Sequence, residues 1–62
     1  MPIVHIHMLS GRSVEQKRAL ADKVTKAVCE SVNTTPEQVK IVIADMAHTD
    51  YAVGGVLHAD KK

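Results

Sequence analysis

The sequence has few of the features that usually stabilise a very short chain. One cysteine among 62 residues means that no disulfide can form within the chain, and a lone thiol without a disulfide framework is typical of a reducing compartment. Phenylalanine and tryptophan are absent and there is a single tyrosine, so the core must be aliphatic. A domain this small buries little surface and usually needs disulfides, a metal or oligomerisation. We therefore expect an oligomer.

Charge and hydrophobicity exclude several classes of partner. Eight basic and seven acidic residues give a net charge of +1, which provides no general attraction for nucleic acid or a membrane surface. No apolar run approaches the roughly 20 residues that cross a bilayer, and the first residues lack the pattern of a signal peptide. The sequence predicts a cytoplasmic protein that has neither nucleic acid nor membrane as a partner.

Two apolar strands flank one long helix in the predicted order of elements. Residues 3–9 and 39–46 are β-branched and alternate in the manner of strands. Ser13 and Gln16 fit a capping box at the start of a helix over roughly residues 14–32. A crossover of this length makes the strands parallel and the connection right-handed. We predict an α/β fold, β-α-β, in a single domain over residues 1–62.

The predicted helix presents one stripe to the sheet and leaves the other sheet face bare. Cys29 is expected opposite this stripe, away from any base, and so is not a candidate nucleophile. Parallel sheets normally have both faces covered, and two strands alone are marginal, so a second subunit is expected on the bare face. The stripe is predicted from Leu20, Val24, Ala27, Val28 and Ser31, and the bare face from Ile3, Leu9, Val42 and Ala44.

The last part of the chain predicts a short hairpin. Gly54 and Gly55 separate two brief apolar runs, a pattern typical of a tight β-turn. Too little chain remains for a further core element, so the hairpin is expected to pair with a neighbouring subunit. Residues 58–62 are expected to fray.

Pro2 is a candidate for chemistry that is weak when taken alone. Met1 is generally removed when a small residue follows it, which would leave a secondary amine at the start of the first strand. An unperturbed α-amino group has a pKa of about 7.7–8.0; nearby cations and an apolar site lower that pKa and make the amine a usable general base. An ordinary strand-opening proline is the alternative.

Two cations could bind an anionic substrate. Arg12, beside Gly11 after the first strand, could hold a carboxylate in bidentate fashion, or could be a solvated loop charge. Lys40 lies within an otherwise apolar strand, where its charge must be paired or face a cleft. His5 and His7 share one strand face, but two histidines are too few for a metal site, and none is predicted.

Taken together, these residues resemble the 4-oxalocrotonate tautomerase family. The resemblance begins with Pro2 and the run Leu9-Ser10-Gly11-Arg12-Ser13-Val14-Glu15-Gln16-Lys17, and it ends with Tyr51 and the double glycine. It covers essentially the whole chain without a gap. It implies a homohexamer, a trimer of dimers, that converts 2-hydroxymuconate to 2-oxo-3-hexenedioate in the degradation of aromatic compounds. The family uses no cofactor.

The resemblance also assigns roles to residues. Pro2 would be the base that moves a proton from the 2-hydroxyl group to C5, and Arg12 would bind the distal carboxylate from a neighbouring subunit. The Leu9 backbone would orient the substrate, and Tyr51 occupies the position of an aromatic pocket residue. Lys40 stands where the family has arginine. It keeps the positive charge but lacks the planar guanidinium group that binds a carboxylate through two hydrogen bonds.

Because Lys40 differs from the arginine of the family, the resemblance is compatible with more than one substrate. The leading interpretation is a keto-enol tautomerase, an isomerase, acting on a dicarboxylate enol. The alternatives are a relative that acts on another enol or a halogenated acrylate, and a non-catalytic assembly subunit.

Overall fold

The computed structural model describes residues 1–61 and confirms the predicted α/β class. The two longer strands pair in parallel, the long helix connects them, and two short strands form an antiparallel hairpin. The second strand begins one residue later than expected, because the Val39 amide donates to the Pro36 carbonyl (3.1 Å) and closes a short 3-10 turn. The elements are β1 (Ile3–Leu9), α1 (Val14–Val32), the turn Pro36–Gln38, β2 (Lys40–Met46), β3 (Ala52–Val53), β4 (Val56–Leu57) and a second 3-10 turn, His58–Asp60.

The helix begins where the capping box predicts. The Gln16 amide donates to Ser13 Oγ (3.1 Å), and the Ser13 amide donates in return to Gln16 Oε1 (2.9 Å). Two amides that the first helical turn leaves without a partner are thereby satisfied. At the other end, Asn33 adopts a left-handed conformation (φ 57°) and its amide donates to the Cys29 carbonyl, which ends the helix.

The helix packs on the sheet through a row that differs from the predicted stripe. Ala27 and Ser31 are exposed, whereas Cys29 is half-buried and lies in the packed row, so its predicted position was wrong. The row follows the three- and four-residue spacing of one helix face. Because the prediction selected mainly apolar residues, it missed part of this face. Its half-buried members are Lys17, Leu20, Ala21, Val24, Thr25, Val28 and Cys29.

The other face of the sheet is uncovered in a single chain. Ile3 is 59% exposed and Val42 47% exposed, and none of residues 1–61 is buried. Large apolar residues exposed together on one strand face are typical of an interaction surface. This supports the expectation that the bare face packs against another subunit. Within the described part of the chain, no helix has the length and apolar character needed to cross a membrane.

The end of the chain is more ordered than expected. His58–Asp60 forms a 3-10 turn, and the Ala59 amide donates to the His48 carbonyl (3.0 Å). The expectation of fraying is therefore wrong for these residues, while Lys62 lies outside the described residues. The hairpin itself is as predicted, with Gly54 (φ 61°) and Gly55 (φ 85°) in the left-handed conformations that its turn requires.

Candidate functional site

Pro2 and Lys40 lie side by side at the end of the sheet where both strands begin. The Lys40 amide donates to the Pro2 carbonyl (3.0 Å), which extends the parallel ladder one step beyond the Ile3–Lys40 pair. The parallel topology causes this proximity, because it places the amino ends of the two strands at the same edge. A single chain therefore places Pro2 and Lys40 at the same end of the sheet without help from another subunit.

The Lys40 ammonium is held by the turn that precedes its strand. Its Nζ donates to the Glu37 carbonyl at 2.8 Å. An ammonium has three donors, so two remain for a ligand. The side chain is on the bare face of the sheet, next to the exposed Ile3, and it forms no ion pair with a carboxylate among residues 1–61.

Met1 still precedes Pro2 in this chain, and this affects the chemistry directly. While Met1 is attached, the Pro2 nitrogen is an amide nitrogen and cannot accept a proton. Met1 is 78% exposed, so the bond that would have to be cleaved lies at an accessible end of the chain.

Arg12 lies at the opposite end of β1. It is exposed and follows Gly11, whose φ of 125° favours glycine at this turn. Strand β1 has seven residues at about 3.3 Å each, so roughly 20 Å separate the two ends. A single chain thus does not bring Arg12 to Pro2 and Lys40. Leu9, the last residue of β1, pairs with Met46 near the Arg12 end.

An open groove adjoins Arg12 where the end of β1 meets the start of the helix. Its volume is about 200 Å³, and Met8 and Leu20 provide apolar walls beside the Arg12 side chain. Lys17 also lines the groove, but its ammonium is 3.6 Å from an Asp45 carboxylate oxygen. At this end of the sheet, Arg12 is therefore a cation that forms no ion pair with a carboxylate of residues 1–61.

Tyr51 belongs to a cluster that sequence reasoning did not find. Its ring is 6.4 Å from that of His58, and the His58 ring meets that of His48 edge-on at 4.9 Å. His48 Nε2 lies 3.3 Å from the Ser10 carbonyl. These residues have no motif spacing in the sequence that could have indicated the cluster.

The remaining histidines lie on the bare sheet face. His5 and His7 are exposed, and their register partners on β2 are Val42 and Ala44. Neither partner offers a metal-ligating side chain. The two histidines thus lie among apolar side chains on the surface that a second subunit is expected to cover.

Comparison with known proteins gives consistent matches over the full length. The family model described as "Tautomerase enzyme" matches residues 2–61. A probable tautomerase of Halalkalibacterium halodurans is 44% identical over 61 residues, which are 98% of this chain and 100% of that protein.

Two solved structures share the architecture closely. The structure of YwhB, a homologue of 4-oxalocrotonate tautomerase, superposes with a TM-score of 0.94 at 41% identity, covering 98% of this chain and 100% of that one. A heterohexameric 4-oxalocrotonate tautomerase from Chloroflexus aurantiacus superposes with a TM-score of 0.92 at 32% identity, with 100% of both chains covered.

Proposed function

Because this chain belongs to the tautomerase family, we propose that it is a cofactor-independent keto-enol tautomerase in which the amine of Pro2 is the general base. The proposed reaction converts a 2-hydroxymuconate-type dienol to the 2-oxo-3-hexenedioate-type ketone, with the proton moving from the 2-hydroxyl group to C5. The observation that carries the proposal is the pairing of the Pro2 carbonyl with the Lys40 amide (3.0 Å), which places the candidate base and the residue that bears the cation at the same end of the sheet.

The proposed chemistry needs a neutral amine at Pro2 near pH 7. Removal of Met1 supplies the secondary amine, and we propose that the positive charge of Lys40, at the same end of the sheet, disfavours the protonated form of that amine. The neutral amine then accepts the hydroxyl proton and returns a proton to carbon, as a general base followed by a general acid. Lys40, with two free donors, is proposed to bind the C1 carboxylate and the 2-oxygen of the substrate and to stabilise the charge that develops on that oxygen.

We further propose that a neighbouring subunit completes the pocket. Arg12, roughly 20 Å from Pro2 along its own strand, would bind the distal carboxylate in another subunit's site. The Leu9 backbone and the Tyr51 ring are proposed to line the substrate pocket. A homohexamer built as a trimer of dimers is the proposed assembly, and the exposed apolar residues of the bare face support it.

Lys40 favours a second candidate within the same chemistry. A single point charge aligns a carboxylate less well than a bidentate guanidinium. This supports the alternative of a different enol or a halogenated acrylate as substrate, which turnover on mono- and dicarboxylates would distinguish. The heterohexameric relative supports another alternative, a non-catalytic assembly subunit, for which native mass would show mixed chains and enol assays no turnover.

The test begins with the intact mass of the purified protein, which should be lower than the full sequence by one methionine. That protein should ketonise 2-hydroxymuconate, and Pro2→Ala should lose most of this rate. Alanine is also small enough for Met1 removal, so processing is matched, and an unchanged native mass is the control for assembly. Full activity in Pro2→Ala would show that the proposed base is wrong.

A further inference from the structure

The C-terminal segment, residues 47–61, folds back on itself around two histidines. The His58 amide donates to the Tyr51 carbonyl (2.8 Å), and the Ala59 amide donates to the His48 carbonyl (3.0 Å). These bonds close the hairpin at its base and bring the two imidazole rings to 4.9 Å, nearly perpendicular to each other (87°). His58 is half-buried, and its ring neighbours both the His48 ring and, at 6.4 Å, the Tyr51 ring.

One contact ties this segment to the loop between β1 and the helix. His48 Nε2 lies 3.3 Å from the Ser10 carbonyl; since a carbonyl can only accept, this nitrogen carries the hydrogen. Among residues 1–61 it is the one side-chain hydrogen bond that joins the C-terminal segment to the rest of the chain. The Ser10 amide donates to the Met46 carbonyl (2.7 Å), so both the amide and the carbonyl of Ser10 are hydrogen-bonded.

Arg12 lies between the held Ser10 peptide and the capped start of the helix. Only Gly11 separates Ser10 from Arg12, so the backbone torsion angles of these two residues span the gap between the two held groups. A shift of the Ser10 peptide would therefore change the direction in which the Arg12 side chain leaves the backbone. His48 thus touches the loop that carries one proposed substrate-binding residue while its ring partner His58 neighbours another, Tyr51.

We propose that His48 is a positioning residue that sets Arg12 and Tyr51 relative to each other and so determines the preference of the enzyme for substrates with a distal carboxylate. This inference rests on the proposed function. His48 touches neither substrate nor base in the proposal; it acts through the Ser10 carbonyl and through the edge of His58. Its loss should weaken the binding of the distal carboxylate and leave the proton transfer at Pro2 intact.

The kinetic test compares His48→Ala with His48→Gln on two substrates. On 2-hydroxymuconate, His48→Ala should raise KM by about 3- to 10-fold, the range for loss of one net hydrogen bond, with kcat within about twofold of wild type. On phenylenolpyruvate, which has no distal carboxylate, KM should not change. His48→Gln should restore KM, because its amide nitrogen can reach the Ser10 carbonyl as Nε2 does.

Thr49→Ala is the matched control, since Thr49 is exposed in the same loop and its side chain forms no hydrogen bond among the described residues. It should leave both KM values unchanged. An equal rise of KM on the two substrates in His48→Ala, or no rise on either, would overturn the proposal.

A second measurement does not depend on turnover. In the nuclear magnetic resonance spectrum, His48→Ala should shift the Gly11 and Arg12 amides together with the Tyr51 ring, and His48→Gln should shift them less. Unchanged signals would refute the coupling even in an active enzyme. If the wild type turns over neither enol but these shifts occur, the proposed function fails while the coupling between loop and hairpin stands.

Discussion

Replacing Val42 by asparagine should separate the subunits, because Val42 lies in the middle of the bare sheet face. In a single chain 47% of this residue is exposed. Full burial of a valine side chain contributes about 1.5–3 kcal/mol, so covering the exposed part contributes about 0.7–1.4 kcal/mol per subunit. Asparagine removes this contribution. It also buries a side-chain amide in the interface, which costs about 1–3 kcal/mol when the amide has no hydrogen-bond partner.

The expected effect doubles if the face packs on a second copy of itself. In a two-fold interface each substitution occurs twice, so the association free energy falls by about 3.4–8.8 kcal/mol in total. The lower value corresponds to an association constant weakened about 300-fold. Native mass and sedimentation over a range of concentrations should show a large assembly for the wild type and smaller species for Val42→Asn.

Two controls separate assembly from folding. Val14→Asn makes the same chemical change at another exposed valine (57%), at the first residue of the helix and away from the sheet face, and should keep the wild-type mass. Val42→Thr keeps the β-branched shape that suits a strand and should have an intermediate effect. If Val42→Asn keeps the wild-type mass at every concentration, the bare face is not the subunit interface.

Three further predictions concern single residues. Lys40→Arg should raise kcat/KM on 2-hydroxymuconate because a bidentate pair replaces a point charge, whereas Lys40→Met should lower it by about 10²–10³-fold, as steady-state kinetics would show. Ser13→Ala removes one half of the capping box and should lower the free energy of unfolding by about 1 kcal/mol, while the control Ser31→Ala in the same helix should change it little. Gly55→Ala places a side chain at a φ of 85° and should cost about 1–2 kcal/mol, measured by thermal unfolding of the assembled protein.

Local patterns predicted the elements of the fold well, since each element has its cause within a few residues. The alternation in β1 and the reciprocal bonds between Ser13 and Gln16 depend on neighbours in sequence. The start of β2 was misplaced by one residue because Val39 is apolar and fits the alternation. Its amide nevertheless closes the 3-10 turn on Pro36, and apolar character does not reveal that bond.

The features that the sequence did not reveal depend on contacts between distant residues. Cys29 was assigned to the wrong side of the helix because its row is completed by Thr25, a polar residue that hydropathy alone does not count. The His48–Ser10 bond joins residues 38 positions apart, and no spacing rule predicts it. Pro2, Arg12 and Lys40 were predicted as site residues from their chemistry and a family resemblance, and that prediction stays untested; their distances from one another required the strand register.

The register has a consequence for how activity depends on assembly. It fixes Pro2 and Lys40 at one end of the sheet and Arg12 at the other, roughly 20 Å away, so a separated subunit cannot place all three around one substrate. Val42 is not a proposed site residue, yet Val42→Asn should therefore lose turnover of the dicarboxylate as its assembly dissociates. Raising the protein concentration should restore both together. Activity that persists in a demonstrated monomer would mean that Arg12 of a neighbouring subunit is not part of the site.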